Sequence, residues 1–170
     1  MPTKSRTLAV AVITCLFLAS TAPLTLAKGG TPGVEVRARV GGQILLEIAD
    51  GEEISFEVDP LLNPEDTAST ELIVRTNALH YSIVAQFSDF SIGEYDLIEH
   101  EKFFIRSTAP GTGEAINDWT VPKGEMVILK NEDGLTPGET IVVEYLLKVD
   151  FTVPPGEGRL QVIYTAVPAF

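Results

Sequence analysis

The chain has 170 residues, 45% of them hydrophobic and 21% charged, and 24 acids against 12 lysines and arginines give it a net charge of −12. Such an acidic chain repels nucleic acid and anionic lipid, and no basic patch in the sequence overrules that, so nucleic-acid partners are excluded. The single cysteine, Cys15, excludes an intrachain disulfide.

The first residues read as an export signal. Lys4 and Arg6 precede the apolar run LAVAVITCLFLAS (8–20), and TAPLTLA then places Thr25 and Ala27 three and one residues before a cut. Charge, apolar run and small residues in that order predict a signal peptide over 1–27, removed after Ala27. The run of 13 residues is shorter than the roughly 20 that a spanning helix needs, so no membrane insertion of the mature chain is expected. Cys15 lies within the leader. The mature chain then has no thiol for a disulfide, a thiolate metal site or a nucleophile. It runs from Lys28 to Phe170 with 10 basic and 24 acidic residues, a net charge of −14. One domain of that size buries about two thirds of its unfolded surface. The expected location is extracellular, at the cell surface or periplasmic.

KGGTPG (28–33) reads as a flexible tether. VEVRARV follows at 34–40 and sets Val34, Val36, Ala38 and Val40 on one face. QILLEIA (43–49) comes after a Gly41-Gly42 turn signal, and EISFEVD (53–59) points Ile54, Phe56 and Val58 inward. In ELIVRTNALHYSIVAQF (71–87), Leu72 and Val74 share a face with Tyr81, Ile83, Ala85 and Phe87, on either side of Thr76-Asn77-Ala78. A hairpin within one sheet and an arch between two sheets give the same inward set. TIVVEYLLKVDFTV (140–153) puts Ile141, Val143, Tyr145, Leu147, Val149, Phe151 and Val153 on one side, and RLQVIYTAV (159–167) closes the chain. Period-two patterning between proline- and glycine-containing turns, with no sustained helical period, predicts an all-β fold. We expect a single immunoglobulin-like antiparallel β-sandwich of about nine strands over 34–170. The runs are too short and too broken by proline for an outer-membrane barrel.

The chemistry-bearing residues are sparse. No Gly-x-Ser-x-Gly elbow is present, and the two histidines, His80 and His100, read as surface residues rather than catalytic bases. The acids of DGEE (50–53), DPLLNPED (59–66) and NED (131–133) match no spaced calcium loop, although calcium accepts such oxygens. No catalytic, cofactor or metal residue is therefore predicted, and the chain is read as a non-enzyme. Trp119, the only tryptophan, either stacks on a sugar from an exposed loop or closes one end of the core.

ISFEVDPLLNPEDTASTELIVRTNALHYSIVAQF (54–87) resembles a pattern of prokaryotic exported surface domains. There a Phe-containing strand and a proline-containing loop lead to a strand ending in Thr-Asn-Ala. TVPPGEGRLQVIYTAV (152–167) is similar to the closing strand of such domains. These domains include Trp-x-Leu surface domains and immunoglobulin-like subunits of surface fibres and pili. Trp119 is followed by Thr120 and Val121, so the Trp-x-Leu motif itself is missing here. The resemblance implies an exported structural or interaction subunit, partnered by itself or by another surface protein.

The expectation is a structural or interaction subunit of the cell surface, and the strand of Val34, Val36, Ala38 and Val40 either pairs within its own chain, as edge strands usually do, or is lent to a neighbour in a fibre or matrix. The alternative is an extracytoplasmic glycan-binding module built on Trp119, and the third reading is a small secreted hydrolase.

Overall fold

The structure is a computed structural model and describes residues 37–109, 111, 113–132 and 136–169. The predicted signal peptide, the tether, Val34 and Val36 lie outside the described residues. Residues 39–170 form one compact unit. Its strands are β1 (Ile44–Asp50), β2 (Glu65–Thr76), β3 (His80–Phe87), β4 (Ser91–Ile92), β5 (Tyr95–Asp96), β6 (Phe103–Thr108), β7 (Glu114–Ala115), β8 (Glu125–Asn131), β9 (Thr136–Lys148) and β10 (Val162–Ala169).

They pair antiparallel into one sheet of order β1-β2-β9-β6, a second of order β10-β3-β8-β7, and a small β4-β5 ribbon. The all-β expectation is realised, and the main strands form two sheets rather than one closed ring. Alternation explains how the sheets meet. Leu72, Val74, Ile105, Ile141, Val143 and Tyr145 of the first sheet pack against Tyr81, Ile83, Ala85, Ile128 and Leu129 of the second, all of them buried. Burying each such side chain stabilises by about 1.5–3 kcal/mol before conformational entropy is counted. Ile128 and Leu129 are both inside because a bulge opposite Ile83 and Val84 places two residues of β8 on the core side.

β2 and β3 belong to different sheets, so Thr76-Asn77-Ala78 is an arch. The inward set is as the alternation predicts: Leu72, Val74, Tyr81, Ile83, Ala85 and Phe87 are all buried.

Three expectations are corrected. Residues 53–58 join no ladder, because side chains take its place: Asp66 Oδ2 accepts from Glu57 N at 3.1 Å, and Asn63 Nδ2 donates to Glu57 O at 2.8 Å. Ile54, Phe56 and Val58 still face the core, with the Phe56 ring edge-on to Phe103. Phe151 is 80% exposed rather than inward. β9 stops at Lys148, and Asp150 turns the chain by accepting from Thr152 N at 2.9 Å while holding Lys102 Nζ at 2.7 Å. Of the strand expected over 34–40, the described residues 37–40 lie in no strand, Ala38 is exposed, and Val40 is 82% exposed.

Candidate functional site

The two sides of the sandwich are finished differently. On the β6 side the edge is covered by residues 116–120. Ile105 and Thr120 exchange two backbone hydrogen bonds of 2.8 Å, and Ser107 N donates to Ile116 O at 2.8 Å. Buried Ser107 then ties the sheets together, its Oγ donating to Ile128 O at 2.5 Å and accepting from Ile116 N at 3.0 Å.

On the β1/β10 side no segment among the described residues covers the edges in this way. β1 and β10 are the edge strands of their sheets, and no backbone hydrogen bond joins one to the other among the described residues. Register shows which residues look into this seam. Ile44, Leu46 and Ile48 oppose inward Thr76, Val74 and Leu72, and Val162, Tyr164 and Ala166 oppose inward Phe87, Ala85 and Ile83. The inner partners are buried, whereas all six seam residues keep part of their surface exposed. The seam is thus a partly exposed apolar strip between two edges, packed on its inner side against the core.

Two polar devices sit at the seam. Tyr164 OH meets Tyr145 OH, which donates to Thr70 Oγ1 at 3.3 Å, so one hydrogen-bonded chain crosses from sheet to sheet. Burial pushes the Tyr145 phenol upward in pKa, and burial together with the neighbouring Tyr145 does the same to Tyr164. At the start of β1, Asn77 grips the incoming chain. Its Oδ1 accepts from Gln43 N at 2.6 Å, its Nδ2 donates to Gly41 O at 3.0 Å, and its backbone N donates to Gln43 O at 3.2 Å. Gly41–Gln43 is therefore fixed against the arch.

Of the sequence-predicted residues, Ala38 and Val40 precede this clamp. Trp119 lies beyond the β6 edge, at the other end of the sheet order from β1. It is half-buried, and the Arg106 guanidinium lies over its ring, 4.6 Å from the centroid. Glu144 holds that guanidinium from Nε and Nη2 at 2.7 and 2.9 Å. His80 and His100 are exposed as expected, and the His100 ring stacks on Tyr95 with Nδ1 2.7 Å from Asp96 O.

Two acids, Asp59 and Asp96, serve the backbone, whereas Glu132 pairs with Lys130. Asp59 Oδ1 accepts from Leu61 N and Leu62 N, each at 2.8 Å, and Asp96 Oδ1 from Ile98 N and Glu99 N. Hydrogen bonding of this kind lowers the pKa of the Asp59 carboxyl. Among the described residues no three metal-ligating side chains cluster. No helix among them is long and apolar enough to cross a membrane.

Sequence reasoning missed the seam, because partial burial of an inward face cannot be read from alternation. One signal was available. Pro168 lies within β10, and proline within a strand marks an edge. No protein-family model matches the chain, and no curated protein matches it.

Proposed function

We propose that this chain is an exported, non-enzymatic subunit of a cell-surface fibre or matrix, an immunoglobulin-like sandwich that assembles by strand donation. The observation that supports this reading is the seam. Two edge strands face each other without a ladder, and Ile44, Leu46, Val162 and Tyr164 stay partly exposed between them. The chain ahead of β1 carries Val34, Val36, Ala38 and Val40 in alternation, and its described residues are in no strand.

A strand of seven residues is about 23 Å long, matching β1 and β10. Added in a second copy to the edge of β10 that pairs with no strand among the described residues, it completes a ladder and covers the seam with valine side chains. Each copy gives at one site and receives at another. Such head-to-tail contacts do not close on themselves and generate filaments.

The test compares the chain beginning at Lys28 with one lacking residues 28–40, by electron microscopy and sedimentation. Filaments from the first and monomers from the second are expected. A full-length chain that stays monomeric at high concentration, with Trp119 fluorescence quenched by a glycan, would replace this reading with the binding module.

A further inference from the structure

The open edge of β10 has a phase that the hydrogen bonds beside it reveal. Ser88 N donates to Gln161 O at 3.0 Å, and Phe87 N turns the other way, to Gly124 O at 2.8 Å. Phe87 stands opposite Val162, and the register runs without a shift from there to His80 opposite Ala169. In an antiparallel ladder the bonding direction alternates residue by residue. Ile163, Thr165 and Val167 therefore bond toward β3, and Val162, Tyr164, Ala166 and Pro168 turn their backbone groups to the open edge. Proline has no N–H, so the run of edge donors ends at Ala166.

We infer that this edge receives residues 34–40 of a second copy antiparallel and in one register, with Val40 opposite Val162, Ala38 opposite Tyr164, Val36 opposite Ala166 and Val34 opposite Pro168. The inference rests on the strand-donation reading and adds to it a direction, a register and the residues that set them. In this register the apolar face of the donor falls on the residues whose backbone groups are open. Val40, Ala38 and Val36 each exchange both hydrogen bonds with their partner. Val34 donates to Pro168 O, and the missing N–H falls at the last pair of the ladder, where it costs least. The smallest residue of the donor face meets the largest of the edge, Tyr164, whose hydroxyl is already committed to Tyr145. Sliding the donor by two residues in either direction puts a valine on Tyr164, and one of those slides also moves Pro168 into the ladder, opposite Val36.

A chain cannot make this ladder with itself. Asn77 holds Gly41 O at 3.0 Å and Gln43 N at 2.6 Å, so Val40 is tied to the arch. β10 also ends at the arch, since Ala169 stands opposite His80. Residues 34–40 laid on β10 of their own chain start from that end and run parallel to it, with Val40 beside Pro168. Val162 is about 20 Å further along the strand, out of reach. On a neighbour the donor runs antiparallel, and no spare chain lies between Val40 and the clamp. The arch of each donor then abuts the far end of its acceptor, and successive copies point the same way.

The chain beginning at Lys28 contains no cysteine, so an introduced disulfide reports the register. Arg39 and Ile163 are both exposed. In this ladder they form a directly opposed pair outside the hydrogen bonds, with Cα atoms about 4.5 Å apart, a separation that a disulfide spans. Chains carrying Arg39→Cys are mixed with chains carrying Ile163→Cys and oxidised. A covalent dimer joined at those two positions, identified by peptide mass, is expected. Its yield should exceed at least tenfold that with Thr165→Cys or Val167→Cys as the partner, positions that are likewise exposed. A higher yield at Thr165 or Val167 overturns the register and leaves strand donation standing. Filaments without a cross-link at Ile163 do the same.

The double variant Arg39→Cys with Val167→Cys reads the parallel arrangement within one chain. An intrachain disulfide there, in a protein that stays monomeric, overturns both this inference and the strand-donation reading. Monomers with no cross-link at any of these positions overturn both as well.

Discussion

Tyr145, in the middle strand of one sheet, and Tyr164, on the edge strand of the other, meet hydroxyl to hydroxyl beside Thr70. On the seam side this is a polar bridge between sheets that no ladder connects there among the described residues.

Alkali is expected to break that bridge. Burial raises both phenols above their ordinary value, so between that value and the folded one the native state holds protons that the unfolded state has lost. Stability is therefore intact below about pH 10 and falls as pH rises beyond it. Thermal melts from pH 7 to 11.5 are expected to show Tyr164→Phe losing about 0.5–1.5 kcal/mol at neutral pH. Above pH 10 the variant should lose less than the wild type. Parallel curves throughout that range would contradict the assignment.

Adjacent residues of β9 should separate sharply. Leu147 is buried and Lys148 exposed. Leu147→Ala is expected to destabilise by about 2–5 kcal/mol in denaturant unfolding. Lys148→Ala should stay within about 0.5 kcal/mol.

Ser107 laces the closed side, so Ser107→Ala leaves Ile128 O and Ile116 N without their hydroxyl partner. The expected loss is about 1–3 kcal/mol. Thr108→Ala, one residue along and exposed, serves as the control and should be nearly neutral.

Gly51 and Gly41 make a second contrasting pair. Gly51 has φ of 74°, and a Cβ there would stand 2.4 Å from Ser69 O, whereas a Cβ on Gly41 meets nothing within 4 Å. Gly51→Ala should cost more than about 1 kcal/mol and Gly41→Ala much less. Equal melting temperatures for the two variants would show the bend at Gly51 to be more permissive than its geometry implies.

Alternation made the centre of this molecule legible. Leu72, Val143 and Tyr145 are readable as core because each lies in a strand paired in regular register on both sides. Legibility failed where side chains replace the ladder. Glu57 is bound by Asp66 and Asn63, and Asp150 ends a run whose hydrophobic pattern continues through Phe151. It failed again at the seam, since Leu46 and Val74 look alike in sequence and differ only in what lies beyond them. Trp119 reads from the sequence as a sugar platform or a plug, and its contact with Arg106 is a pairing that no spacing announces.

The long ladder between β2 and β9 pairs Glu65 with Lys148 and Thr76 with Thr136, enclosing 60 to 83 residues of chain. Half of the middle of its sheet comes from the last third of the sequence. Closing so large a loop must precede any reward from the contacts it brings, which places such a chain among the slow folders. Until β9 has emerged, β2 has only β1 to pair with, and a two-stranded ribbon is marginal in water. A polypeptide built this way cannot complete its first sheet until its C-terminal third is free to pair.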